Sequence, residues 1–303
     1  MAAQLRQIRQ RIRAIQSTAK ITRAQELIAA SRIIKAQQRV RDAQPFAREI
    51  TRAVEAVVSQ SAHIDHPLTR EPERAERAAV LILTSDRGFA GGYNANVLRE
   101  AQGLQALLAE RNVQPAIYVA GQKGVIWHRF REREVQASWS GFSDTPQEEN
   151  AHEITEALLD AFNRPAAEGG VDEIYIVYTE FVSMLTQNAL VRRILPLVVE
   201  ETQEQPAEGP LPLYEFEPSP QAVLDALLPW YVESRIYHAL LEGAASEIAS
   251  RRRAMKSATD NANDLLDKFT LEANKARQAE ITQEISEIVG GANALAESLA
   301  GKE

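Results

Sequence analysis

Along the first twenty residues, Leu5, Ile8, Ile12, Ile15 and Ala19 recur at spacings of 3, 4, 3 and 4. That period predicts a helix with a coiled-coil seam, and Arg6, Arg9, Arg13 and Lys20 fall off it. Leu27, Ile28, Ala30, Ile33 and Ile34 broaden the stripe, and Pro45 is expected to kink the helix or mark a junction in it. The other end of the chain repeats the pattern more strictly. Leu241, Ala245, Ile248, Arg252, Met255, Thr259, Ala262, Leu266, Phe269, Ala273 and Ala276 alternate spacings of 4 and 3 over five heptads. A second register follows through Ile281, Ile285, Ile288, Ala292, Leu295 and Leu299, so the winding is expected to be irregular between the two. From Trp230 to Leu299, at 1.5 Å per residue, such a helix is roughly 100 Å long.

Five of the first eleven seam positions are Ala or Thr and one is Arg252. A seam of this kind allows close approach but buries little apolar area, so the expected partner of each arm is the other arm, antiparallel or nearly so. The bland alternative is a tether or a self-associating coiled coil.

Between the arms the pattern changes. Ala79–Thr84 reads as a buried strand, followed by the Gly-rich turn SDRGFAGGYN and a helix over Ala95–Arg111. Ala116–Val119 and Ile174–Thr179 read as further strands, with another over Ile194–Val199. Between them lie a short helix carrying Val125, Ile126 and Phe130 and a helix over Gln147–Phe162 that Glu148 and Glu149 help to start. Alternation of strands and helices indicates an α/β layer with a mainly parallel sheet. The punctuation agrees: all 13 prolines lie between Pro45 and Pro229, and neither Gly nor Pro occurs between Ala244 and Val289. The expected organisation is a helical arm over 1–60, an α/β middle over 61–218 and a second arm over 219–303.

Charge sharpens this division. The net charge of −8 on 303 residues is the sum of +9 over residues 1–41, −3 over 230–303 and −14 over the rest. A basic arm on an acidic chain implies asymmetric partners, and nucleic acid is not expected without aromatic interleaving in that arm. The run Arg251-Arg252-Arg253 with Lys256 forms a basic collar on the second helix, either a solvated face or a contact for acidic loops of a partner. Zero cysteines exclude a disulfide framework and thiolate metal sites. The longest apolar run, Ala78–Leu83, is far short of a membrane span, and the Arg-rich start lacks the apolar core of a secretory signal.

Catalytic chemistry is thin. Asp86–Asn94 could cradle a phosphate on backbone N–H groups, but neither GxxxxGK[ST] nor GxGxxG occurs; a strand-to-helix corner that needs Gly is the plainer reading. Ser85, Asp86 and Arg87 are candidates for a local salt-bridged cap. The five histidines, His63, His66, His128, His152 and His238, form no metal-ligand pattern, so no cofactor is expected.

Four blocks in order carry a resemblance that covers essentially the whole chain. They are TAKITRAQELIAASRI (Thr18–Ile33), SDRGFAGGYN, YEFEPSP (Tyr214–Pro220), and MKSATDNA with TLEANKARQAEITQEISEIVGGANAL (Met255–Ala262, Thr270–Leu295). Together they resemble the gamma subunits of bacterial F-type ATP synthases. Gln25, Ile28, Phe89 and Ala90 depart from the family's common residues, and the regulatory cysteine-bearing insert of chloroplast versions is absent. The resemblance implies a non-catalytic rotor shaft: a long antiparallel coiled coil of the two terminal helices plus a Rossmann-like α/β domain. It implies alpha and beta subunits, an epsilon subunit and a membrane c-ring as partners, and a peripheral place on the cytoplasmic face of the cell membrane. It also implies that Arg277 and Gln278 form a catch for a beta-subunit loop. Tyr214, Glu215, Phe216 and Glu217 would form the foot toward the ring or epsilon. The rival readings are a scaffold bridging two partners and a nucleotide-binding regulator.

The poor seam has a direct consequence. A peptide of residues 230–303 should not be a monomeric, fully helical species in circular dichroism and analytical ultracentrifugation, because one such helix buries too little surface to hold itself. A stable helical monomer would contradict the pairing of the two arms.

Overall fold

The structure, a computed structural model, describes residues 2–60, 72, 75–165, 168–197 and 216–300, with the side chains of all but 2, 3, 60 and 294–300. In order they form α1 (Ala2–Gln60), β1 (Arg77–Leu83), α2 (Tyr93–Glu110), β2 (Gln114–Ala120), α3 (Gln122–Phe130), β3 (Ala137–Trp139), α4 (Glu148–Asn163), β4 (Glu173–Phe181), β5 (Gln187–Leu195) and α5 (Pro220–Ala300). Helix α1 runs unbroken through Pro45, which is solvent-exposed, so water can satisfy the carbonyl that the ring leaves without a donor.

The chain divides into two compact units: residues 29–252, and residues 1–28 with 253–303. The larger unit is built on a five-stranded sheet of order β3-β2-β1-β4-β5. All neighbours are parallel except β4 and β5, which are antiparallel. This is the mainly parallel α/β sheet expected from the alternation of elements. Strand β1 is central and covered on both faces, which is why it reads as an unbroken apolar run rather than an alternating one. Ala79, Leu81 and Leu83 point to one face with Ile174 and Ile176, where they meet Ile154 and Leu158 of α4. Val54 and Val57 of α1 and Leu224, Val232 and Ile236 of α5 pack into the same core. Val80 and Ile82 point to the other face, with Val119 and Val177, against Val97, Ala101, Leu104 and Leu108 of α2. Farther along, Ala29, Ile33 and Ala36 of α1 pack on Ala245, Ile248 and Ala249 of α5.

The smaller unit is a helix pair. Leu5, Ile8, Thr22 and Glu26 of α1 and Met255, Thr259 and Ala262 of α5 are buried. Thr22 hydrogen-bonds Thr259 at 2.8 Å, and the Arg11 guanidinium lies over the Phe269 ring at 5.9 Å. The number on one helix rises as that on the other falls, so the pair is antiparallel.

Two expectations are corrected, and one short strand was not expected. The fifth strand is not Ile194–Val199 but Gln187–Leu195, and residues 198 and 199 lie outside the described residues. β5 is an edge strand with mixed polar and apolar positions, which concealed it. The three-residue β3 gave no sequence signal. On α1, Leu27, Ile28 and Ile34 are exposed. The buried line instead continues the 3–4 spacing from Ala19 through Thr22, Glu26, Ala29, Ile33 and Ala36, two of which are polar.

Two glycines define a contrast. A Cβ on Gly121, at φ 108°, would sit 2.1 Å from the Thr84 carbonyl oxygen, whereas one on Gly103 within α2 meets nothing within 4 Å. Gly121→Ala should lower stability by about 3 kcal/mol or more, through backbone strain and the clash. Gly103→Ala should raise it by roughly 0.5–1 kcal/mol, through helix propensity. Denaturant midpoints of the full-length variants check both.

Candidate functional site

The Gly-rich turn after β1 is organised by its own carboxylate. Asp86 accepts backbone N–H groups from Gln122 at 3.0 Å, Gly141 at 2.8 Å and Ser143 at 2.9 Å. Its own N–H donates to the Ser143 hydroxyl at 2.9 Å. Burial works to raise the Asp86 pKa, but these backbone N–H bonds together outweigh it and hold the carboxyl below its usual range. Of the turn's own backbone N–H groups, that of Asp86 is taken by the Ser143 hydroxyl and that of Tyr93 by the Ala90 carbonyl. The expected Ser85–Asp86–Arg87 salt-bridged cap is replaced by this backbone network. Ser85 instead donates to the Arg87 carbonyl and bonds Asn94 at the start of α2. Two residues in the turn have left-handed backbone, Phe89 at φ 61° and Gly91 at φ 58°.

The same turn is held to α5. The Arg251 guanidinium donates to the carbonyls of Arg87 and Gly88, both at 3.3 Å, and pairs with Glu247 at 2.7 Å. Glu247 is almost fully buried, and burial pushes its carboxyl up, while Arg251 draws it down. The Tyr93 phenol beside it is pushed up by burial and by the Glu247 charge.

The sequence-predicted residues fall in different places. Arg251 spends its charge inside the chain. Arg252 is half-buried, Arg253 is exposed, and Lys256 lies 3.9 Å from Asp260. Arg277 and Gln278 are exposed on α5, and no side-chain hydrogen bond or ion pair holds either among the described residues. Phe216 packs on the sheet core and Glu217 is exposed, while Tyr214 and Glu215 lie outside the described residues, as do His63 and His66. His128 is a core histidine: it is fully buried, its Nδ1 lies 2.9 Å from the Gly124 carbonyl, and burial lowers its pKa. Among the described residues there is no His, Cys, Asp and Glu cluster fit for a metal, and no helix is long and apolar enough to cross a membrane.

Two features were missed. The Thr22–Thr259 bond was signalled only by Thr22 continuing the spacing from Ala19. Glu247 and Arg251, at i and i+4, showed an ion-pair spacing but no sign of burial.

Among the described residues, polar groups in these sites serve mainly to fasten helices to a sheet. The class defined by fold and site is therefore one in which two long terminal helices pair with each other and pack on a mainly parallel, Rossmann-like α/β sheet. A family model described as ATP synthase matches residues 4–295. The ATP synthase gamma chain of Acidothermus cellulolyticus is 62% identical over 295 residues, covering 97% of this chain and 98% of that one. That of Thermobifida fusca is 58% identical over 306 residues, covering both chains fully. The chain belongs to this family, as a gamma chain of ATP synthase. Its fold also matches solved chains of the Euglena gracilis mitochondrial ATP synthase. One, from the rotor, has a TM-score of 0.62 at 16% identity over 93% of this chain and 100% of that one. Another, from the assembly of OSCP, F1 and c-ring, scores 0.67 at 18% identity over 100% and 97%.

Asp86→Ala should cost about 2–4 kcal/mol at neutral pH, because three backbone N–H groups lose their acceptor. A depressed folded-state pKa contributes stability above the unfolded value, near 4, that is lost as pH falls through the folded value. The gap between wild type and variant in chemical denaturation should therefore narrow in acid. A constant gap would remove the charge from the account.

Proposed function

We propose that this gamma chain works as the rotor shaft of the F1 sector, carrying torque between a proton-driven membrane ring and the catalytic sites of beta subunits. The observation that supports this best is the end of α5. Its pairing with α1 places Thr259 beside Thr22 and Phe269 beside Arg11, so the start of α1 is reached near residue 280. Beyond it, Ile281, Ile285, Ile288 and Val289 are exposed, each by 45% or more. The described part of the second apolar register, through Val289, therefore has no partner among the described residues of α1. A helix tip with this much bare aliphatic surface suits an enclosing apolar sleeve, such as the centre of a ring of alpha and beta subunits.

Arg277 and Gln278 stand just before that tip. Adjacent helix positions differ by about 100°, so the two can grip one loop from two sides, Arg through a charge-assisted bond and Gln through a neutral one. Arg252, Arg253 and Lys256 offer a basic collar to acidic loops farther down. Phe216 and Glu217, with the preceding Tyr214 and Glu215, would form the foot toward the c-ring and epsilon. The proposed organisation along the chain is an arm over 1–60, a middle over 61–218 and a second arm over 219–303. Its place would be peripheral, on the cytoplasmic face of a bacterial membrane.

In the assembled complex, Arg277→Ala should lower steady-state ATP turnover by about tenfold to a hundredfold, roughly 1.4–2.7 kcal/mol, with subunit stoichiometry unchanged. Gln278→Ala should be milder. Turnover and stoichiometry are measured on the same purified complexes. Wild-type turnover in the double variant would remove both residues from the mechanism, and a failure to assemble would recast them as structural.

A further inference from the structure

We propose that a cavity in the larger unit, between α1, α4 and α5, binds an organic ammonium cation, a role beyond that of a shaft. The cavity measures about 370 Å³, and its wall brings together Asp42, Phe46, Glu148, Trp230, Glu233 and Tyr237. Three aromatic rings and three carboxylates meet there, and neither Lys nor Arg lines it, although the chain carries 34 of them. Phe46 and Trp230 meet edge to face, with ring centroids 6.4 Å apart at 74°. They remain 53% and 56% exposed, so ring surface is left open to the cavity. Ring faces attract cations, and ammonium groups carrying apolar substituents are the ligands that such sites hold best.

Two of the three carboxylates bond groups outside the wall, and no Lys or Arg of the wall pairs with them. Gln38 donates to Asp42 at 2.7 Å, and His152 bonds Glu233 at 2.9 Å from outside the cavity. His238, the one basic group in the wall, is turned to Glu242 at 3.4 Å. The negative potential is felt at the rings: burial first, then the charges of Glu148 and Glu149, push the Tyr237 phenol up, against the opposing pull of Arg39. The volume lies within the range of small-molecule pockets and exceeds what a bare ammonium ion fills, so an ammonium with attached apolar groups fits it.

The test uses the full chain carrying 5-fluorotryptophan, whose three indoles give three fluorine signals. Trp230→Leu assigns the reporter. Choline is compared with 3,3-dimethylbutan-1-ol, which has the same shape without the charge. Choline should shift only the Trp230 signal, with a Kd of about 1 mM or tighter, and the alcohol should bind at least about tenfold more weakly. Glu233→Gln and Phe46→Leu should each weaken choline at least about threefold, with the Trp127 and Trp139 signals unmoved as the check on folding. Equal binding of choline and the alcohol would make the cavity merely apolar and overturn the proposal. So would the absence of a shift at about 50 mM choline, or variants that bind like wild type.

Discussion

Thr22 and Thr259 are 237 residues apart in sequence and share one hydrogen bond across the antiparallel pair of chain ends. The seam around them is narrow: Glu26, Ala29 and Ala36 on one helix, and Ala245, Ala249 and Ala262 on the other, take positions that a zipper gives to Leu or Ile. Such contacts bring backbones close but repay little of the entropy of closing so long a chain. The pairing therefore depends on the α/β body. There the same two helices place Val54 and Val57, and Leu224, Val232 and Ile236, against one face of the sheet. The sheet core supplies the burial, and the thin seam supplies register.

The polar groups follow the same division of labour. Asp86 gathers three backbone N–H groups from segments that follow β2 and β3, and so closes the corner above the sheet. Arg251 then ties that corner to α5 with two carbonyl contacts, its charge balanced by the buried Glu247. A subunit that transmits force needs a stiff joint between helix and body more than it needs reactive groups. At the buried Glu247 an unmade bond is costly, which makes the joint specific.

Much of this was legible in the sequence where a single physical cause dominates. Strand β1 is apolar throughout because both of its faces are covered, and the arms lack Gly and Pro over long stretches because they are uninterrupted helix. The seam on α1 was misread because its line passes through Thr22 and Glu26, which a count of apolar residues skips in favour of the exposed Leu27 and Ile28. Strand β5 was misplaced because an edge strand has no continuous apolar signal. The role of Asp86 could not be read at all, since its partners lie 36 to 57 residues away and contribute only backbone. The catch residues Arg277 and Gln278 come from the resemblance and carry no local pattern that marks them, whereas the collar is legible as a run of basic residues; what the run does not show is that Arg251 turns inward to Glu247.

The central claim is that this chain is a single shaft within a ring of other subunits. The most direct measurement is a subunit census by native mass spectrometry of the complex purified through a tag on this chain. The account predicts one copy of this chain with three alpha and three beta subunits. Recovery of this chain alone, as a self-associated oligomer, or in equal numbers with alpha and beta would contradict it.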